Sequence, residues 1–103
     1  MNNSFYKRKG WRVKRVNILK RDNYECREWR RYGKRVGATT VHHIYPYQSY
    51  PWLALDSDNL ISLCNRCHEL MHDRATQELT QLGKAWQVRA EKKLKNKIFK
   101  DKK

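Results

Sequence analysis

The placement of the histidines constrains this chain more than any other feature. All four lie between residues 42 and 72, as the adjacent pair His42-His43 and as His68 and His72, four residues apart. A chain of 103 residues, of which 39% are hydrophobic, is too short and too polar to build a large apolar core. Small domains of this kind often depend on a bound metal ion, and imidazole is a common metal ligand. The histidines therefore predict a metal-dependent fold built around this segment.

The residue types on either side of the histidines predict a hairpin followed by a helix. Residues 39–45 and 59–63 are rich in β-forming residues and predict two strands. A helix over residues 65–73 would place His68 and His72 on one face, about one turn apart. Because the first strand carries the other two histidines, this ββα order would bring all four into one cleft.

Further helices are predicted on both sides of this unit. Residues 1–10 are polar and basic, and they predict a disordered arm. Apolar residues at helical spacing predict a helix over residues 11–21 and a basic C-terminal helix and tail over residues 75–103. The expected organisation is a basic arm, one domain at 11–74 and this C-terminal extension. The expected fold class is α+β.

The charge of the chain is unevenly distributed along it. The formal net charge is +14, and it divides into +10 over residues 1–37, −3 over residues 38–73 and +7 over residues 74–103. Two basic arms therefore flank the histidines, an arrangement that predicts binding to a polyanion such as double-stranded DNA. Six cations are candidate phosphate contacts: Arg12, Lys14, Arg15, Lys20, Arg66 and Arg74.

Several classes of protein are disfavoured by the same sequence. No apolar run approaches the roughly 20 residues that span a bilayer, and the N-terminus lacks the apolar stretch of a secretory signal. Three cysteines are an odd number, which disfavours a disulfide framework. We therefore expect a soluble protein in a reducing cytoplasm, with no membrane partner.

The motifs of the middle segment resemble those of a known family. In order, they read Val41-His42-His43-Ile44-x-Pro46, then Asn59-Leu60, then Leu63-Cys64-x-x-Cys67-His68-x-x-x-His72. This pattern resembles the HNH endonucleases, whose fold is the ββα-metal or His-Me finger fold, and its histidine spacing is close to that of the bacterial colicin DNases. The cysteines and the lead-in Ile18-Leu19-x-Arg21-Asp22-x-Tyr24-x-Cys26 look more like small phage-encoded HNH proteins.

The resemblance implies a role for each of these residues. His43 would be the general base and Asn59 the residue that holds the hairpin and His43 in line. The implied ligands of one divalent cation are His42, His68 and, least securely, His72. The cation would be Mg²⁺ or Mn²⁺, with Ni²⁺ or Zn²⁺ as further candidates for an imidazole-rich site. The implied reaction is hydrolysis of DNA phosphodiester bonds, by nicking or by double-strand cutting.

Other interpretations of the same residues stay open. Asn59 is also a common turn residue, and His68 with His72 would equally suit a structural zinc. The alternative function is a non-catalytic, metal-stabilised DNA-binding accessory protein. If the chain is phage-encoded, as the resemblance suggests, it would work in the host cytoplasm with DNA packaging or mobility, and packaging proteins would be among its partners.

The cysteines depart from the family pattern. Many HNH proteins hold a structural zinc with two C-x-x-C motifs, and here Cys64-x-x-Cys67 is intact while Trp29 stands where Cys26 should have its partner. The resulting site of Cys26, Cys64 and Cys67 lacks a fourth thiolate, which a closed zinc site normally needs. The alternatives are zinc completed by water or a carboxylate such as Glu28, Trp29 packed against inert thiols, or a metal shared between two chains.

Overall fold

Two short strands pair antiparallel at the centre of the molecule. The computed structural model describes residues 4–99, and in it β1 (Thr40–His43) pairs with β2 (Leu60–Leu63). His42 lies opposite Ile61 in this register. Both strands are largely buried, because helices pack against them.

Five helices in the described part of the chain surround this hairpin. They are α1 (Ser4–Lys7), α2 (Lys9–Arg21), α3 (Arg27–Arg30), α4 (Asn65–Glu69) and α5 (Gln81–Leu94). One residue, Cys64, separates β2 from α4, and its sulfur accepts a hydrogen bond from the Cys67 backbone N–H at the start of that helix. The predicted α+β class, a ββα unit with flanking helices, is confirmed.

The prediction of a disordered N-terminal arm is wrong for residues 4–10. These residues are mostly helical, and the Phe5 side chain is only 6% exposed because it packs against Trp11, with ring centroids 5.4 Å apart. In this helix the basic side chains are exposed and the Phe5 ring is buried. Burial of its apolar area offsets the conformational entropy lost when the segment becomes ordered. The first three residues of the predicted arm lie outside the described residues.

The helix after β2 is shorter than the sequence predicts. We expect a helix over residues 65–73, but α4 ends at Glu69, and His72 instead forms an isolated β-bridge with Leu79. The chain turns back here because the Thr80 hydroxyl donates to the carbonyl of Leu70 and its backbone N–H donates to the carbonyl of Met71. These bonds satisfy carbonyls that a longer helix would have used.

The C-terminal helix therefore begins at Gln81 rather than near residue 75. Gly83 in its first turn lies so close to the preceding segment that an added Cβ would stand 2.7 Å from the carbonyl oxygen of Met71. Further along, the Trp86 indole N–H donates to Glu28 of α3 over 2.8 Å. This helix packs on the domain, and residues 100–103 of the predicted tail lie outside the described residues.

Asp22, at the end of α2, joins that helix to the hairpin. Its carboxylate is 2% exposed, accepts a hydrogen bond from the Ser62 backbone N–H of β2 over 3.0 Å, and pairs with Arg21 and Arg27. Burial opposes ionisation, yet the bonds from Arg21 and Ser62 lower the pKa of Asp22 below its ordinary value. A charged hydrogen-bond acceptor thus sets the position of β2 relative to α2. No helix within residues 4–99 is long and apolar enough to cross a membrane.

Candidate active site

The four histidines line one pocket of about 940 Å³. His42 and His43 end β1, His68 comes from α4, and His72 comes from the turn that follows it. The sequence predicts this convergence from a pair on one helix face, but the structure achieves it differently, because the β-bridge of His72 brings the chain back beside α4.

His42 lies against the other two predicted ligands. Its ring centroid is 5.3 Å from that of His68 and 6.0 Å from that of His72. Two imidazoles bound to one cation at about 2 Å have ring centres roughly 5 to 6 Å apart, so these separations suit a shared ion. His42 Nε2 is also buried without a hydrogen-bond partner in the described structure, which is costly unless something else occupies its lone pair.

His42 and His68 are held in the neutral form that binds cations. Burial, followed by the proximity of His68 and His72, lowers the pKa of His42 to about 3. Burial and the neighbouring His72 likewise lower the pKa of His68. A neutral imidazole has a free lone pair at physiological pH, so the donor set fits a divalent cation of the imidazole-binding kind.

His43 has different surroundings, because neighbouring residues on a strand point to opposite sides. Its Nε2 lies 3.0 Å from the carbonyl oxygen of Ala54, and its ring stacks on Trp11 with centroids 5.0 Å apart and planes 23° apart. Since a carbonyl oxygen can only accept, this hydrogen bond assigns the proton to Nε2 and leaves the Nδ1 lone pair as the base. Burial lowers the pKa of His43, against the opposing effect of the Ala54 carbonyl.

Asn59 organises the loop that holds His43. It is fully buried; its side-chain oxygen accepts from the Tyr45 backbone N–H over 2.7 Å, and its amide donates to the carbonyls of Tyr45 and Leu53. Leu53 directly precedes Ala54, whose carbonyl receives the hydrogen bond of His43. Asn59 therefore affects the position of the His43 ring indirectly, through the backbone of the loop that contains Leu53 and Ala54.

Two comparisons with known proteins found a match to this chain. A family model described as HNH endonuclease matches residues 26–74. A solved structure of the HNH endonuclease of the deep-sea thermophilic bacteriophage GVE2, containing a manganese ion, is 38% identical, with a TM-score of 0.63 over 64% of this chain and 72% of that one. This chain belongs to the HNH endonuclease family. No curated protein sequence matches it.

The three cysteines of this chain come together beside the start of α4. The sulfur atoms of Cys26, Cys64 and Cys67 all lie within 4.8 Å of one another, close enough to share a metal ion. Burial, with the neighbouring thiols, raises the pKa of Cys67. For Cys64 the effect of burial is outweighed by hydrogen bonds from the Cys67 and Arg66 backbone, and its pKa is lowered. The cluster thus contains one thiol that ionises readily, at the N-terminus of a helix.

Trp29 and Glu28 decide what can complete this cluster. Trp29 is half-buried and packs against the apolar cluster that contains Cys26 and Cys67. Glu28, which the sequence suggests as a fourth ligand, instead accepts from the Trp86 indole and pairs with Arg31. Its carboxylate is used to join α3 to α5, so the expectation of Glu28 as a ligand is not met.

The predicted phosphate contacts fall into two groups. Four are exposed: Arg12, Lys20, Arg66 and Arg74. Lys14 is half-buried and donates to the Ser57 hydroxyl over 3.0 Å, and Arg15 donates to the carbonyl of Thr39. The exposed group is available to a partner, whereas Lys14 and Arg15 also hold neighbouring loops against α2.

The aromatic surroundings of His43 are what the sequence interpretation missed. Phe5, Tyr6 and Tyr47 all have ring centroids within about 6 Å of the imidazole, beside the stacked Trp11. Treating residues 1–10 as disordered removed Phe5 and Tyr6 from consideration. The available signal was a pair of adjacent aromatic residues within a basic segment, since large aromatic side chains usually find an apolar surface to cover.

Proposed function

We propose that this protein is a metal-dependent endonuclease that hydrolyses phosphodiester bonds of double-stranded DNA. The observation that carries the proposal is the division of labour between adjacent histidines. His42 presents a buried, unpartnered Nε2 beside His68 and His72, while the Nε2 of His43 is bound to a carbonyl and its Nδ1 is left as a base.

The proposed cation site consists of His42, His68 and His72. Mg²⁺ or Mn²⁺ is our first choice and Ni²⁺ or Zn²⁺ the second, and the manganese ion in the phage GVE2 structure supports a divalent ion. Such a cation would offset negative charge that develops on the phosphate and on the leaving oxygen. His42 and His68 contribute neutral donors, because burial lowers the pKa of each imidazole.

His43 performs the proton transfer in this proposal. Its Nδ1 takes a proton from a water molecule as the water oxygen attacks phosphorus. The bond from phosphorus to the 3′ oxygen breaks, and that oxygen takes up a proton from solvent water, which leaves a 5′-phosphate and a 3′-hydroxyl. The lowered pKa of His43 keeps the ring unprotonated and ready to accept at neutral pH.

The scaffold around His43 limits its motion. The carbonyl of Ala54 fixes one edge of the ring and the indole of Trp11 covers a face. Asn59 acts here as a positioning residue, through its hydrogen bonds to the loop that contains Ala54. Pre-orientation of a general base in this way lowers the entropic cost of reaching the reactive geometry.

The cellular location and the domain organisation are also part of the proposal. The relative from phage GVE2 supports a phage origin. We propose that the protein acts in the cytoplasm of a bacterial host, in DNA packaging or mobility. The nuclease domain would span residues 11–74 and the basic extension residues 75–103. Exposed cations of α2 and the C-terminal extension would hold the duplex.

A plasmid-nicking assay tests the proposal. Supercoiled plasmid is incubated with the protein and Mg²⁺, Mn²⁺, Ni²⁺ or Zn²⁺, against an EDTA control, and with the variant His43→Ala. We expect nicked or linear product with at least one cation, none with EDTA, and at least a 100-fold lower rate for the variant. Its DNA affinity should stay close to that of the wild type, which shows that it folds.

Two outcomes would contradict the assignment. Near wild-type cleavage by His43→Ala would remove this residue as the base. An absence of cleavage with every cation, alongside intact DNA binding, would favour a non-catalytic DNA-binding accessory protein.

A further inference from the structure

A second concavity lies away from the histidines. It is a cleft of about 410 Å³, and it shares no lining residue with the histidine pocket. Residues of β1 line the histidine pocket, whereas Leu60 and Ile61 of β2 form part of the floor of this cleft. We call it the α3–α5 cleft, because those two helices supply most of its charged residues.

The charged side chains around the α3–α5 cleft are mainly cationic. Six contribute to its lining: Arg21, Arg27, Arg30, Arg31, Arg89 and Lys93. Against them stands one lining carboxylate, Asp58, which lies 3.9 Å from the ammonium group of Lys97. None of the six was singled out from the sequence as a phosphate contact, and the cleft gathers them from three separate helices.

Trp86 holds two of these guanidinium groups in place. Arg27 lies over its ring at 5.8 Å from the centroid, and Arg89 lies over it at 4.8 Å. The indole is itself fixed, since its N–H donates to Glu28. Cations from α3 and from α5 are therefore held on one buried aromatic ring, and less side-chain entropy would be lost when they bind a ligand.

Some of these cations have N–H groups that are not paired with a carboxylate of the described part of the protein. Arg21 is occupied by Asp22 and by the carbonyls of Ser57 and Leu60. In contrast, neither Arg89 nor Lys93 makes an ion pair with a carboxylate within residues 4–99. An anion in the cleft would thus meet unneutralised charge from α5.

We propose that the α3–α5 cleft is a second phosphate-binding site, separate from the histidine pocket, and that it takes phosphate groups of a nucleic-acid strand. Planar guanidinium groups match phosphate oxygens with paired hydrogen bonds, and phosphate is the anion that a chain with a net charge of +14 meets on nucleic acid. Leu60 and Ile61, which form part of the floor of the cleft, are apolar. The cationic side chains around them would therefore bind the phosphate groups of the ligand. The proposal concerns binding and does not depend on cleavage.

A matched pair of double variants tests it. Arg89→Gln with Lys93→Gln removes two cations of α5 that line the cleft, whereas Lys84→Gln with Lys92→Gln removes two exposed cations of the same helix that do not. Both pairs are made in the His43→Ala background to prevent turnover. Binding of a fluorescent 20-base-pair duplex is followed by anisotropy at several salt concentrations.

We expect the cleft pair to weaken DNA binding about tenfold and to reduce the slope of log affinity against log salt by about 2, which is roughly one unit for each lost phosphate contact. The control pair should change the slope by less than half as much. Equal effects from the two pairs would overturn the proposal, because they would show general charge attraction. Binding is measured with EDTA and no added divalent cation, so failure of the proposed catalytic function would leave this result unaffected.

Nuclear magnetic resonance then separates the sources of phosphate. The indole N–H signal of Trp86, assigned by its loss in Trp86→Phe, is followed during titration with a short oligonucleotide, a deoxynucleoside monophosphate and inorganic phosphate. A shift with the oligonucleotide at lower phosphate concentration than with the other two supports a strand-binding site. A stronger response to free nucleotide or phosphate would overturn the assignment to a strand, and no shift with any of the three would overturn the site.

Discussion

At the scale of single residues, adjacent side chains of this protein occupy unlike environments. His42 is 2% exposed and lies among other imidazoles, while His43 is 8% exposed and lies among aromatic rings. The alternation of a β-strand produces this separation. A shift of the hairpin by one residue would exchange the two, so the register that pairs His42 with Ile61 matters for the site.

Trp11 is a residue whose effect on the site can be measured directly. We expect Trp11→Ala to lower the cleavage rate kcat about tenfold with little change in KM, because His43 loses the ring on which it stacks. The variant should also lose about 3 kcal/mol in the free energy of unfolding. Trp11→Phe, which keeps an aromatic face, should recover most of kcat.

Steady-state cleavage kinetics and urea unfolding make this measurement. If Trp11→Phe restores the free energy of unfolding but leaves kcat as low as in Trp11→Ala, the stacking contact does not position His43.

At the scale of elements, short helices are placed by single polar contacts. The carboxylate of Asp22 binds the backbone of β2, and Glu28 joins α3 to α5 through Trp86. A four-residue helix such as α3 has little stability of its own, so these contacts and the packing of Trp29 determine where it lies. Because position 29 is a tryptophan, the cysteine cluster lacks a fourth thiolate.

Restoring that thiolate should restore a closed zinc site. In Trp29→Cys we expect one further equivalent of tightly bound zinc per chain compared with the wild type, because four thiolates satisfy tetrahedral zinc. Zinc should then raise the free energy of unfolding by about 3 kcal/mol at a hundredfold excess over its dissociation constant.

Metal analysis by mass spectrometry and chemical unfolding with and without zinc would measure both effects. Trp29→Ser is the matched control, because it removes the indole without adding a ligand. Equal zinc content in the cysteine and serine variants would show that residue 29 does not reach the cluster.

At the scale of the whole molecule, two concavities are built on the two apolar clusters that hold the fold. Two apolar clusters hold the fold, one around Trp86 and the cysteines and the other around Trp11 and α2. The histidine pocket and the α3–α5 cleft are separate concavities formed by different residues. Burying neutral imidazoles in the first of these has a consequence for the stability of the entire chain.

The free energy of unfolding should fall as the pH drops below about 6.5. An unfolded histidine has a pKa near 6.5, whereas burial lowers that of His42 to about 3. Between these values the unfolded chain binds a proton at this residue that the folded chain does not, so stability decreases by about 1.4 kcal/mol per pH unit.

Urea unfolding at pH 6.5 and pH 5.0, with a chelator to remove cations, isolates this effect. His42→Gln should lose about 2 kcal/mol less than the wild type over the same interval. The buried His43 and His68 remain in both proteins, so their contribution cancels. An identical loss in the two proteins would mean that His42 is not the neutral buried group described above.

Local sequence patterns were sufficient to predict the ββα order and, through it, the convergence of the four histidines, whereas the meeting of Cys26 with Cys64 and Cys67 was implied by the family resemblance. Strand propensity over residues 39–45 and 59–63 and the helical spacing of His68 and His72 are short-range properties. They describe how a few consecutive residues can be arranged, and they do so whatever the rest of the chain does.

Tertiary structure decided the features that depend on residues far apart in the chain. Phe5 orders the N-terminal segment because it finds Trp11 and Tyr47, and α4 stops early because Thr80 takes up the carbonyls at its end. Gly83 is a poor helix former that suits its place only because Met71 approaches so closely. In each case a distant contact outweighs a local preference of about 1 kcal/mol or less.

The sequence by itself therefore determined which side chains this protein can use, namely four imidazoles, an asparagine, three thiols and two basic arms. Only the folded chain decided how they are held: His43 between Trp11 and the Ala54 carbonyl, and six cations gathered into one cleft. The reason is physical. Residue identity supplies the chemical groups, but burial, hydrogen-bond partners and the direction of a ring depend on segments that meet only after folding.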